Sequence, residues 1–356
     1  MFTVAGLVPG QGYSESSTEP SNPSNGDFWW DTANELLYQH VNGSFIRLAA
    51  SLPPAWNGDR ALIYRGRSPS ANINYNDIDY YNITTSGNAS DFGDTSAVQY
   101  NSASAGSKSR NLLFYGIEGS GNVATDRIDY VTVATTGNAT DFGNQGYSNG
   151  SWVRAVSNGT KAFSIRSFGS GEIEVVTIDT TGNATQWSEN DAALNVNQGY
   201  NQDGYDLNAT SNDATRGIFR RGDGRMYYFN MDTYANVTEF SSSTDTLHEY
   251  TNGGASDGTY GILSGGRQSG TAINNISYIT IQSPSNATDF GDLTIAREGC
   301  VTTGNGTYAT INGGRSGTTG YNTIDYVTIA TPGNAIDFGD LVTNIGNHLS
   351  GGSGSP

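Results

Sequence analysis

Paired carboxylates are the most repeated chemical feature of this sequence. The tetrapeptide DFGD places them at Asp91/Asp94, Asp289/Asp292 and Asp337/Asp340. Two acids at that spacing, beside backbone carbonyls, form a donor set suited to Ca²⁺. Three related copies break the pair, with Asn144, Gln186 and Ser242 at its positions. Asp or Asn next to Gly also satisfies turn backbone through Asx-type hydrogen bonds, and this structural use is the reading adopted. No metal or other cofactor is predicted. The DFG tripeptide comes without a glycine-rich phosphate loop or a catalytic-loop motif, so it carries no phosphotransfer signature.

The remaining acid–base and nucleophilic groups are few: His40, His248 and His348, Lys108 and Lys161, and the single cysteine Cys300. None is paired at ligand or triad spacing, so no catalytic residue is assigned and the chain is read as non-enzymatic. One cysteine excludes an intramolecular disulfide and a Cys-based zinc site. A carboxylate pair for glycoside hydrolysis stays open, because it requires only two acids about 5 to 9.5 Å apart. Five repeated asparagines, Asn88, Asn138, Asn183, Asn236 and Asn286, open N-x-S/T sequons, whereas Asn334 is followed by Ala335 and Ile336. The start of the chain lacks the basic region and apolar core of a signal peptide. The sequons are therefore read as turn chemistry.

These residues sit in a polar but weakly charged chain of 356 residues, with 17 basic and 34 acidic side chains and a net charge of −17. That balance argues against nucleic acid as a partner, since a phosphate backbone needs a basic surface. No run approaches the roughly 18 apolar residues of a membrane span. With 47 Gly and 21 Tyr, and aromatic and β-branched residues spread evenly, an ordered, turn-rich β fold is expected rather than disorder.

The elements that carry the carboxylates repeat six times. The phrase reads IDYYNITTSGNASDFGD from Ile78, IDYVTVATTGNATDFGN from Ile128, IEVVTIDTTGNATQWSE from Ile173, MYYFNMDTYANVTEFSS from Met226, ISYITIQSPSNATDFGD from Ile276 and IDYVTIATPGNAIDFGD from Ile324. Its shared Asn recurs at spacings of 50, 45, 53, 50 and 48. Each copy alternates with period 2, predicting a strand. A strand ending in glycines precedes it, as in GTYATINGG (306–314); another, REGCVTTG (297–304), comes before that, and NAxDFGD supplies a fourth. Four short antiparallel strands per unit, six times over, predict an all-β, six-bladed β-propeller across residues 51–356. The first copy starts at its second strand, NGDRALIYRG (57–66), while the sixth is followed by LVTNIGNHLSGG (341–352). Residues 346–350 are therefore expected to pair with 62–64 and close the first blade.

The order Arg-x-Gly, Gly-Gly, Tyr and a late aromatic resembles the kelch repeat. Gly-Gly stands at Gly265-Gly266 and Gly313-Gly314, and the family's Trp at Trp187; Phe92, Phe142, Phe240, Phe290 and Phe338 take its place elsewhere. Sialidase propellers carry Ser-x-Asp-x-Gly-x-x-Trp boxes that this sequence lacks. Residues 1–50 form a separate segment. There GDFWWDTANELLYQHVNGSF predicts two hairpins too small to bury a core, whose aromatics pack on the propeller or on a partner. This phrase resembles a short element of tailed-bacteriophage structural proteins. It implies an adaptor, with Phe28, Trp29, Trp30, Leu37 and Tyr38 as virion-anchor candidates. The TGNATDFGD repeat resembles repeats in virion proteins of marine phages, especially cyanophages.

Copies three and four are irregular. Tyr200, Tyr205, Tyr227 and Tyr228 are surface-recognition candidates for sugar or protein, with packing between blades as the other reading. The resemblances imply a non-enzymatic virion protein, made in the host cytoplasm and present in several copies. Its partners would be other virion proteins, and its propeller a spacer or a platform for a host surface glycan or protein. The alternatives are a bacterial surface or secreted lectin-like protein and a glycan-cleaving propeller enzyme.

Overall fold

Alternation of β-branched and aromatic residues with polar ones makes each repeat a small antiparallel sheet. In repeat two Ala103–Gly106, Arg110–Phe114, Arg127–Thr132 and Thr140–Asn144 pair in that order. The same four-strand order holds in repeats three to six. Their third strands are Ile173–Thr177, Met226–Asn230, Asn275–Thr280 and Thr319–Thr328. The computed structural model describes residues 12–31, 36–47, 58–68, 73–119, 121, 123–146, 153–166, 172–188, 209–210, 215–220, 225–233, 236–241, 252–345 and 350–354. Over these residues the chain is all-β.

Repeat one draws its first strand from the other end of the chain. Ser350–Gly354 runs antiparallel to Arg60–Tyr64, from Ser350 opposite Tyr64 to Gly354 opposite Arg60. The described pairing begins at Ser350, the last residue of the expected 346–350, and runs on to Gly354; 346–349 fall outside the described residues. Gly and Ser carry no strand periodicity, so the sequence located the segment but not its register.

The core is divided among the sheets. Ile63, Tyr81 and Ile83 of repeat one pack on Val301, Ile324 and Phe338 of repeat six. On its other face repeat one places Leu62, Tyr64 and Phe92 against Leu113 and Val131 of repeat two. Equivalent clusters join repeats two and three, three and four, four and five, and five and six. Burying each large apolar side chain contributes roughly 1.5 to 3 kcal/mol, so both faces of every sheet are stabilising surfaces.

The glycine of DFG allows neighbouring sheets to approach. Gly93 has φ of +145°, and a Cβ there would lie 2.5 Å from the Gly137 carbonyl oxygen in the turn of repeat two. Gly143, Gly291 and Gly339 meet the turns of repeats three, six and one in the same way. Gly182, by contrast, faces open space.

Residues 13–47 form their own four-stranded sheet. Phe28–Asp31, Leu36–Val41 and Ser44–Arg47 make the two expected hairpins. A further strand, Tyr13–Ser16, adds in parallel to Phe28–Asp31.

Gly93→Ala is expected to destabilise the fold by about 3 kcal/mol, because the backbone must move to admit the methyl group. Gly182→Ala should stay within about 0.5 kcal/mol. Denaturant titration of the two variants checks the contrast.

Candidate functional site

The residues with the most chemical potential converge on the junctions between repeats. The first is the repeated asparagine, which stands in the turn between third and fourth strands. Asn138 Oδ1 accepts the Asp94 N–H of the preceding repeat at 3.0 Å. Asn183 accepts from Asn144, Asn334 from Asp292 and Asn88 from Asp340, each at 3.1 Å. Backbone bonds flank the cap: Gly137 N–H donates to Phe92 C=O at 2.8 Å and Ala139 N–H to Asp94 C=O at 2.7 Å. The turn thus supplies hydrogen-bond partners to the outer edge of its neighbour's fourth strand. In repeat four Ser241 replaces the glycine, and its hydroxyl donates to Asn286 at 2.7 Å. In repeat three Trp187 replaces Phe, and its indole N–H donates to Asn230 C=O at 3.1 Å.

A buried acid on the third strand forms the second joint. Asp129, fully buried, accepts the Ser96 N–H at 3.0 Å and hydroxyl at 2.6 Å from the preceding repeat, and the Tyr115 hydroxyl at 2.5 Å. Burial and the Asp129 charge push the Tyr115 phenol well above its ordinary value. Asp325 accepts the Thr294 N–H and hydroxyl and pairs with Arg297 at 3.1 Å, both partners fully buried. Glu174 accepts the Gly146 N–H at 2.7 Å. A motif search for paired catalytic acids passes over these residues because each stands alone in its strand. Their signal is an acid in a segment whose neighbours on both sides are apolar.

The third joint opens the second strands of repeats one, two and four. Arg110 lies over the Tyr130 ring at 4.6 Å and donates to Ile178 C=O of repeat three at 3.2 Å. Arg60 and Arg216 do the same over Tyr80 and Tyr228, reaching Val133 and Ile281. The tyrosines in turn meet the DFG phenylalanines edge-on, as Tyr130 meets Phe142.

The predicted recognition tyrosines fall partly within this packing. Tyr227 is 3% exposed and stacks on Phe219. Tyr228 is half-buried between Arg216 and Phe240. Tyr200 and Tyr205 lie outside the described residues, as do His248 and His348. Cys300 is buried, and burial pushes its thiol up to about 11. Among the described residues no three His, Cys, Asp or Glu side chains gather as a metal set.

Ion pairs gather around the ends of the second and third strands and the segment that leads into repeat six. Glu298 meets Arg315 at 3.1 Å and Arg267 at 3.5 Å, Arg127 meets Glu118 at 3.0 Å, and Arg65 meets Asp77 at 2.9 Å. On repeat three an open groove of about 470 Å³ is lined by Lys161, Thr177, Thr180, Asn183 and Thr185 among others. Its lining holds no carboxylate, so it offers no acid pair for glycoside hydrolysis.

The anchor candidates share the small N-terminal sheet. Trp29 is its buried centre, stacked on Tyr38 at 5.0 Å, edge-on to Phe45 at 5.3 Å, with its indole N–H donating to Ser16 C=O at 3.1 Å. Phe28, Trp30, Leu37 and Tyr38 are half-buried. Asp27 fixes the entry to the sheet by accepting the Gly12 and Ser24 N–H groups, each at 2.7 Å. Those two bonds hold its carboxyl below the ordinary value. Among the described residues, none of the six apolar clusters includes a residue of this sheet.

No protein-family model matches the chain, and no curated protein matches it in sequence. The functional argument therefore stands on the residues themselves.

Two outcomes follow from this geometry. Arg110→Ala removes a cation–ring contact and an inter-repeat hydrogen bond, and is expected to cost about 1 to 2 kcal/mol in denaturant titration, with Arg110→Lys recovering part. Asp27 has a folded pKa below its unfolded one, so its stabilising contribution is present above the ordinary carboxylate range and lost as pH falls through the lowered value. Limited proteolysis should find the N-terminal sheet of the wild type intact at about pH 4.5, and that of Asp27→Ala cleaved there.

Proposed function

We propose that the six repeat sheets are the blades of a six-bladed, kelch-like propeller closed by Ser350–Gly354. In this reading the protein is a non-enzymatic structural component of a tailed-phage virion. Two cyclic series support the propeller. The apolar clusters join each repeat to the next and the sixth to the first. The first strands Ser350–Gly354, Ala103–Gly106, Val153–Ser157, Ala209–Thr210, Ala255–Ser256 and Val301–Gly304 also touch in that order, with Val301–Gly304 returning to Ser350–Gly354.

The observation that carries the structural role is where the repeated polar groups go. The asparagines, third-strand acids and second-strand arginines hold repeats together, which suits a rigid spacer or display platform better than a reaction centre. The virion assignment rests on the resemblance of GDFWWDTANELLYQHVNGSF and TGNATDFGD to phage structural sequences. The N-terminal sheet, built around Trp29 and entered through Asp27, supports an adaptor unit. Its half-buried Phe28, Trp30 and Leu37 are the groups to meet other virion proteins, with several copies supplying avidity for a host surface glycan or protein.

Purified particles from the source lysate test this reading by mass spectrometry and electron microscopy. The chain is expected at a defined position, as ring-shaped density about one propeller wide, and Phe28→Ala/Leu37→Ala should be lost from particles while melting like the wild type. Recovery only in free supernatant or on cell surfaces would overturn it.

A further inference from the structure

The junction of repeat six with repeat one gives its buried acid fewer hydrogen bonds than the Asp129 and Asp325 junctions give theirs. Asp129 accepts three hydrogen bonds, and Asp325 accepts two and an ion pair. Asp79, equivalent to them and 1% exposed, accepts one hydrogen bond among the described residues, from the Val342 N–H at 3.1 Å. One missing hydroxyl is part of the cause; the other part is that Arg65 stands where Tyr115 donates to Asp129. Val342 stands where Ser96 and Thr294 supply a hydroxyl, and a methyl group donates nothing. Val342 is also 50% exposed, so it gains little from burial in exchange.

The charges around Asp79 come from several elements. Arg65, at the end of the second strand, attracts its charge but is itself paired to Asp77 at 2.9 Å. Asp77 on the third strand and Asp91 on the fourth repel it. From repeat six the packed strand brings Asp340, whose N–H is held by Asn88. Burial pushes the Asp79 carboxyl up to about 6, against the Val342 N–H and Arg65 and with Asp77 and Asp91. Asp79 also lies in register with Ile63, which pairs with Gly351 of the closing strand. That strand carries only Ser and Gly side chains, so backbone hydrogen bonds hold it.

We propose that the junction between repeats six and one is a proton-dependent latch, held when Asp79 is protonated and opening before the Asp129 and Asp325 junctions when Asp79 is ionised. The sign follows from linkage. An acid whose folded pKa is raised stabilises fully below its ordinary value of 3.8, and that stability is lost as pH rises through about 6. Protonation removes a buried charge that one donor cannot serve; ionisation restores it beside two like charges. The first and last repeats are thereby the pair whose contact responds to mild acid.

Amide hydrogen exchange on the full-length chain tests the latch. The Val342 and Gly351 amides should lose protection by up to tenfold per pH unit between about 4 and 6, then level off. The Ser96 and Thr294 amides, at better-served junctions, should keep theirs. Asp79→Asn should abolish the step, and Val342→Thr, which restores the hydroxyl at an exposed position, should move it to lower pH even if Asp79→Asn fails to fold. Flat protection at Val342, a step surviving in Asp79→Asn, or equal steps at Ser96 and Thr294 would overturn the proposal.

Discussion

The outer edge of each repeat's last strand needs hydrogen-bond partners, and most of this structure follows from how they are supplied. An unpaired strand edge exposes donors and acceptors that recruit other chains. Here the turn of the next repeat occupies that edge, with Asn138 on the Asp94 N–H and Gly137 on the Phe92 carbonyl. The approach is close enough that only glycine fits at Gly93. Phe92 is then held between its own Tyr80 and the cluster shared with repeat two. One constraint accounts for the Asn, the Gly and the aromatic of the repeated phrase together.

Much of the architecture was legible in the sequence because strands and repeats are local. Period-2 alternation located the third strands, and self-similarity gave their number and spacing. The role of the repeated Asn was only half legible. Its neighbours identified a turn, but its partner lies in another repeat, 44 residues away for Asn138 and Asp94 and 252 for Asn88 and Asp340. The burial of Asp79, Asp129 and Asp325 was hidden for the same reason, since each accepts a backbone N–H from a neighbouring repeat. Tyr13–Ser16 was missed because its residues YSES have no apolar alternation, and its pairing is fixed by Asp27 reaching back to Gly12.

This distribution of polar groups bears on function. Among the described residues, the repeated asparagines, buried acids and arginines are shared among junctions and facing loops. Burial also removes Tyr227 from open surface. The weakly served Asp79 sets the junction of repeats six and one apart from those of Asp129 and Asp325.

The central claim is that the repeated asparagines Asn88, Asn138, Asn183, Asn286 and Asn334 act on the neighbouring repeat rather than on their own turns. Residue-resolved amide exchange in Asn138→Ala tests it most directly. The account predicts that the Asp94 amide loses protection while those of Asn144, Asp292 and Asp340 keep it. Unchanged protection at Asp94, or a loss confined to the turn around position 138 itself, would contradict it.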